Sequence, residues 1–206
     1  MKKKINMYQK KLKILDKVKK IVRDQGWSEE TLKTLLKNNV NQSELTFLFN
    51  DDYRELLNFS LEELNKSVEK QIKSINIISY PTNKRIKKIL MVRMNILKSD
   101  KLFYKKTFNH LLLPTNAKIM KQNLYKSIDN MWYLAGDNST DFNFYTKRIS
   151  LAAIYINSLF ILFNKDFDQV EINIDKNLKR ISKIPKIKSR ISFLQDNIPV
   201  FVRSFF

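Results

Sequence analysis

The chain contains no cysteine and a single histidine, His110. Without thiols there is neither a disulfide nor a thiolate metal site. One imidazole cannot supply a His-Glu-x-x-His pair, or a Ser–His dyad with a ligand to spare. His110 stands in "NHLLLP", at the edge of an apolar run, where its expected role is structural. Metal centres and nucleophilic catalysis lack their usual residues, so no catalytic residue, metal or cofactor is expected.

Turn-forming residues are equally scarce. Two glycines and four prolines in 206 residues cannot serve the frequent turns that strands demand, which predicts an all-α fold. What is abundant is apolar side chain and positive charge. A hydrophobic content of 43%, with 14 Phe and 8 Tyr, is enough for a buried core. The net charge of +19 calls for an anionic partner, either nucleic acid or a lipid surface. The plainer account is that codon bias in an AT-rich genome inflates Lys, Asn and Ile, leaving lysines to coat solvated faces.

Apolar residues Ile5, Tyr8, Leu12, Leu15 and Val22 recur at helical spacing until Gly26 ends the first helix. Ser28 is expected to cap "SEETLKTLLKNNV", and "NQSELTFLF" and "NDDYRELLNFSLEELNKSVEKQIK" follow. That order has the shape of a helix-turn-helix lobe over residues 1–80. After Pro81 come helices in a larger lobe over 81–184, with turns at Pro114 and Gly136, and Pro185 opens a last segment, 185–206.

A helix-turn-helix suggests a DNA-binding repressor, but its local charge disagrees. From Asn38 to Tyr53 the charged residues are Glu44, Asp51 and Asp52, giving −3 within a strongly basic chain. Base and phosphate readout needs cations or several amides there, and Asn41 and Gln42 alone are too few. No specific nucleic-acid partner is expected.

The stretch "DNMWYLAGDNSTDFNFYTKR", Asp129 to Arg148, is unlike its surroundings. Its three aspartates lack the Glu-x-x-His partners of a di-iron helix. As scaffold it reads as an interhelix corner, with Gly136 as C-cap, Asn138 or Ser139 as N-cap and Asp141 on the next helix dipole. That leaves Asp129, Trp132 and Tyr133, an acid beside an aromatic pair, the usual makings of an interface anchor. Ile119, Lys126 and Tyr133 recur every seven residues, so Asp129, Trp132, Tyr133 and Ile119 are expected to share a broad docking face.

"GDNSTDFNFYTKRISLAAIY" after "DNMWY" resembles the signature of the ninth of the numbered coenzyme Q (ubiquinone) biosynthesis proteins. "GWSEETL" and "LLLPTN" fall where that family has similar phrases, and the resemblance extends over about residues 21–184. It implies a TetR-regulator-like fold without DNA reading. It also implies bound isoprenoid lipid or phospholipid in the larger lobe and assistance to the di-iron hydroxylase that acts on demethoxyubiquinone. The Asp-x-x-Trp-Tyr segment is implied to contact that hydroxylase, and the chain end to form an amphipathic membrane-binding helix.

The residues accommodate these expectations without requiring them. "ISLAAIYINSLFILF", Ile149–Phe163, is apolar on nearly every face and falls short of the ~18–20 residues that span a bilayer. It is expected to be a buried helix, either plain core or, with Leu151, Ile154, Tyr155 and Leu159, the wall of a lipid site. Ile187, Ile191, Leu194, Ile198, Phe201 and Phe205 form a stripe at spacings of four and three. Eight Lys/Arg against one Asp between Lys176 and Phe206 make that stripe suitable for an anionic membrane surface. The alternative is a last helix packed on the core or on a partner in a homodimer.

The expected protein is therefore a non-catalytic, peripheral lipid-binding accessory of ubiquinone biosynthesis, with a ligand-responsive TetR-type repressor as the rival. "MKKK" leads into an amphipathic helix and not into an apolar signal core, and no long presequence precedes the resemblance. The expected location is the cytoplasmic face of a bacterial inner membrane, or the matrix side of the mitochondrial inner membrane in a eukaryote.

Overall fold

The computed structural model describes residues 2–137 and 142–183, and among these every regular element is helical. The elements are α1 (Lys2–Gln25), α2 (Glu30–Lys37), α3 (Gln42–Phe49), α4 (Tyr53–Lys73), α5 (Thr82–Ser99), α6 (Lys101–Leu111), α7 (Ala117–Leu134), α8 (Phe142–Asn164) and α9 (Asp168–Lys183). A 3-10 turn, Pro114–Asn116, leads into α7. The all-α expectation holds. The expected caps Asn138 and Ser139, with Asp141 and the stripe from Ile187 to Phe205, lie outside the described residues.

Local chemistry explains the breaks. Gly26 adopts φ 80°, a left-handed conformation that closes α1 as its N–H donates to the Val22 carbonyl at 2.9 Å. Ser28 does not cap α2 with its hydroxyl. Its backbone N–H donates instead to Thr31 Oγ1 at 3.2 Å, and α2 starts at Glu30 with no side-chain cap. Asn41 does cap α3, its Oδ1 accepting from the Ser43 N–H at 2.8 Å. Asn50, at φ 52°, ends α3 in the left-handed region that Asn tolerates better than most residues.

The described chain forms two compact units. The first takes residues 1–66 and 99–119, the second residues 67–98 and 120 onward. This division differs from the 1–80 and 81–184 partition expected from sequence, because α6 joins the first unit. Side chains explain why. Arg23 on α1 grips Asp100, just before α6, with hydrogen bonds of 2.8 and 2.7 Å. The buried Trp27 indole donates to Thr107 Oγ1 on α6 at 2.9 Å and packs near Phe103. Leu15, Val18, Leu35, Leu45, Leu56 and Leu57 complete that core.

In the second unit Ile89, Leu90, Met94, Met131, Val170 and Ile174 are fully buried. Arg93 is buried among them, donating from Nε to the Tyr155 hydroxyl at 2.8 Å and from Nη2 to Ser127 Oγ at 2.9 Å. At 23 residues α8 is longer than the apolar run it contains, and it is long and apolar enough to cross a membrane by length and composition. It is not buried all round. Leu151, Ile154, Tyr155 and Leu159 face inward, while Tyr145, Ile149 and Phe160 are exposed.

Candidate functional site

The unusual stretch builds a charged corner in the second unit. The end of α7 is closed by a Schellman motif: Gly136 N–H donates to the Tyr133 carbonyl at 2.9 Å, and Asp137 N–H to the Trp132 carbonyl at 3.1 Å. Gly136 sits at φ 77°, and a Cβ there would meet Arg85 Nη1 at 3.2 Å. Only glycine fits without moving that guanidinium, which donates to the Ala135, Tyr80 and Ile78 carbonyls. The C-cap read for Gly136 is what the structure contains.

Across the corner, Arg148 of α8 donates twice to Asp129 Oδ1 of α7, and its Nη1 lies 3.5 Å from Asp137 Oδ2. Lys147 Nζ pairs with Asp137 Oδ1 at 2.5 Å. Arg148 also lies over the Phe144 ring, 3.3 Å from its centroid. The Arg148 side chain is 7% exposed, so two acids compensate a charge withdrawn from water. Two of the three aspartates in the stretch therefore serve ion pairs.

Beside this corner, within the same unit, a cavity of about 370 Å³ is lined by Thr82, Asn83, Ile86, Trp132, Thr146, Lys147, Ser150, Leu151, Ile154 and Leu178. Spacing on α8 explains the wall: positions 147, 150, 151 and 154 are one turn apart on one face. Leu151 and Ile154, read as lipid-lining residues, are in it. Tyr155 and Leu159, also read as lipid-lining, are buried and are not among the residues lining this cavity. The Tyr155 hydroxyl is instead taken up by Arg93, and Leu159 lies more than a turn beyond the wall. Sequence reasoning missed Thr82, Asn83 and Ile86 on α5, which periodicity on α8 could not reveal.

The expected docking face is also redistributed. Tyr133 is 73% exposed and Asp129 is half-exposed, but Trp132 is 8% exposed and lines the cavity. Ile119, half-buried near the start of α7, falls within the first unit. The reason is angular. Each helical residue turns the chain by about 100°, so adjacent Trp132 and Tyr133 cannot face the same way. Trp132 is core and cavity wall, and Tyr133 is surface. The Trp132 Nε1 atom is buried without a hydrogen-bond partner, a cost that a purely structural indole normally avoids.

The fold and site define an all-helical protein with a largely apolar cavity beside a buried ion-pair corner. The residues that build the corner and most of the cavity lie in a segment similar to a known family: positions 117–185 match the COQ9 family model. Over 150 residues the chain is 29% identical to "Ubiquinone biosynthesis protein COQ9, mitochondrial" of Bos taurus, covering 69% of this chain and 47% of that protein. The Rattus norvegicus protein of the same name is 30% identical, with 69% and 48% covered. "Probable ubiquinone biosynthesis protein coq9, mitochondrial" of Dictyostelium discoideum is 27% identical over 166 residues, with 77% and 54% covered. The chain spans about half the length of these curated relatives, and the resemblance read from its motifs is to this family.

Proposed function

We propose that this chain is a non-catalytic lipid-binding accessory protein of ubiquinone biosynthesis. It binds an isoprenoid quinone intermediate or phospholipid and presents substrate to the di-iron demethoxyubiquinone hydroxylase at the membrane. The cavity is the observation that carries this reading. Ile86, Trp132, Leu151, Ile154 and Leu178 supply apolar wall, while Thr82, Asn83, Thr146 and Ser150 supply hydroxyl and amide groups. Such a mixture suits an amphiphile. Its volume lies at the lower end of the ~300–1,000 Å³ typical of ligand sites, enough for one end of a polyprenyl compound and not for the whole. Covering that part of an insoluble tail lowers the cost of drawing the head group out of the bilayer.

The names of the curated relatives supply the pathway, and their "mitochondrial" supports the mitochondrial alternative for location. Peripheral membrane attachment rests on the cationic apolar stripe of residues 187–205. The test is organic extraction of protein purified from its native host, followed by mass spectrometry. Stoichiometric isoprenoid or phospholipid is expected, and its loss is expected in Leu151→Trp, which fills the cavity. Protein that carries no lipid, or a Leu151→Trp variant with undiminished lipid, overturns the reading.

The repressor alternative is weakened within the first unit. Gln42 Nε2 is committed to Asp51 at 2.9 Å, Asn41 caps α3, and Glu44 pairs with Lys10 at 2.6 Å. The amides that would read bases are occupied within the fold. Any DNA binding should be independent of sequence and lost as salt rises.

A further inference from the structure

The chain has two tryptophans, both buried, and their indole N–H groups end differently. Trp27 donates to Thr107 Oγ1 at 2.9 Å. Trp132 is 8% exposed, and its buried Nε1 has no acceptor among the described residues. An indole N–H can only donate, and a buried donor left unpaired loses the bonds it made to water. A folded chain keeps such a group where a water or a ligand completes it.

The protein around Trp132 does not complete it. Lys147 Nζ lies over the ring, 5.6 Å from its centroid, and holds Asp137 at 2.5 Å. An ammonium offers no lone pair, and an indole N–H points along the ring plane, not toward a cation above the face. Asn130 Oδ1, two residues back on α7, is a buried acceptor that also lacks a partner. It stands about 200° round the helix from Trp132, on a different side. Thr82, Asn83, Thr146 and Ser150 bring oxygen atoms to the cavity that Trp132 lines, and none accepts from the indole. The space that the indole borders is that cavity of about 370 Å³.

We propose that the Trp132 N–H is the specificity-determining donor of the cavity, and that the end of the amphiphile held there carries an acceptor oxygen. This rests on the lipid-binding reading and narrows it. A ring carbonyl of a quinone and an ester carbonyl of a phospholipid share the required chemistry, a neutral oxygen joined to apolar bulk. Ile86, Leu151 and Ile154 cover that bulk, and the indole holds the oxygen. A hydrocarbon end fits the same walls and leaves the donor unpaired. A site built to hydrogen-bond one atom rejects the analogue that lacks it more strongly than apolar contact alone can. The cavity therefore takes the oxygenated end and the first part of the chain, and the rest of the tail lies outside.

The experiment uses the full chain, stripped of bound lipid on a hydrophobic resin, and three probes. These are a benzoquinone carrying a decyl chain, a short-chain diester phosphatidylcholine below its micelle concentration, and decylbenzene, which has no oxygen. Nitrogen-15 labelling of the indoles gives one N–H signal per tryptophan, assigned by its loss in Trp132→Phe. An oxygenated probe should move the Trp132 signal downfield and leave that of Trp27, already bonded, in place. Whichever of the two does so identifies the source of the oxygen. Trp132→Phe should weaken binding of that probe roughly ten-fold by calorimetry. Its affinity for decylbenzene should match the parent's, a split that loss of packing alone does not produce. If the variant fails to fold, the signals of the parent chain decide. The proposal falls, with the lipid reading intact, if probes bind and the Trp132 signal stays put, or if decylbenzene binds as tightly as the oxygenated probes. Both fall if no probe binds.

Discussion

Arg148 on α8 closes on a single oxygen of Asp129 on α7, 2.9 Å from Nε and 2.6 Å from Nη2. The arginine side chain is 7% exposed and the aspartate 43%. Asp129 therefore belongs to the scaffold before it belongs to any docking surface. Asp129→Lys sets two cations against each other and leaves Arg148 dependent on Asp137. Removing one partner of a fully buried pair costs about 3–5 kcal/mol, and the exposure of Asp129 reduces this to about 2. The expected fall in Tm is about 4–8 °C for a chain of this size, measured by calorimetry, with a smaller fall for Asp129→Asn.

Trp132 calls for a pair of variants. Its indole lines the cavity and its N–H has no partner. Trp132→Phe keeps most of the apolar contact and removes the unsatisfied donor, whose burial costs about 1–3 kcal/mol, so stability should stay within about 1 kcal/mol of the parent. Trp132→Ala should lose about 3–5 kcal/mol. Urea denaturation compares them. A Phe variant as damaged as the Ala variant would mean that the N–H has a partner in solution, such as bound ligand.

These two residues mark how far the sequence could be read. Helices were legible because apolar periodicity and a few breakers, Gly26, Pro81, Pro114 and Gly136, are local signals. Leu151 and Ile154 were legible as inward residues of an apolar helix. What stayed hidden depends on distant partners. Nothing near Thr82, Asn83 or Ile86 hints that they face Leu151, and nothing near Lys101 shows α6 packing with Trp27. Heptad spacing placed Trp132 beside Tyr133 on one face, although adjacent residues on a helix diverge by about 100°.

His110 gives the chain a pH response that one substitution can isolate. Its ring packs edge-on against Tyr53, and Nε2 is buried without a partner. Burial first, and then the Arg54 charge, push its pKa below the ordinary 6.5. With the folded value depressed, stability is complete above 6.5 and falls as acid protonates the unfolded chain first. Denaturant midpoints should drop between about pH 6.5 and 5, before most carboxylates titrate. His110→Gln should flatten that slope, since the chain has no other histidine.

Residues 187–206 carry the membrane expectation alone. Deleting them removes the whole apolar stripe and three of the chain's cations, Lys188, Arg190 and Arg203. The truncated protein should keep its helical content and no longer pellet with anionic liposomes, whereas the full chain should be released from them by salt. Unchanged pelleting after truncation would move the membrane contact elsewhere.

Tyr133 is where docking on the hydroxylase can be tested without disturbing the fold. It is 73% exposed, on the last turn of α7, and its backbone carbonyl is already held by the Gly136 N–H. Replacing its side chain touches neither the Schellman closure nor the Arg148–Asp129 pair. Tyr133→Lys should leave Tm within about 1 °C, as expected for a surface change away from such features. If this aromatic anchors the proposed contact, its loss costs about 2 kcal/mol or more, weakening the association roughly thirty-fold or beyond. Trp132→Lys cannot give the same answer, because it puts a charge into a cavity wall and lowers stability together with binding. Equal affinity of Tyr133→Lys and the parent chain for the purified hydroxylase would remove Tyr133 from the interface and leave the corner as scaffold alone.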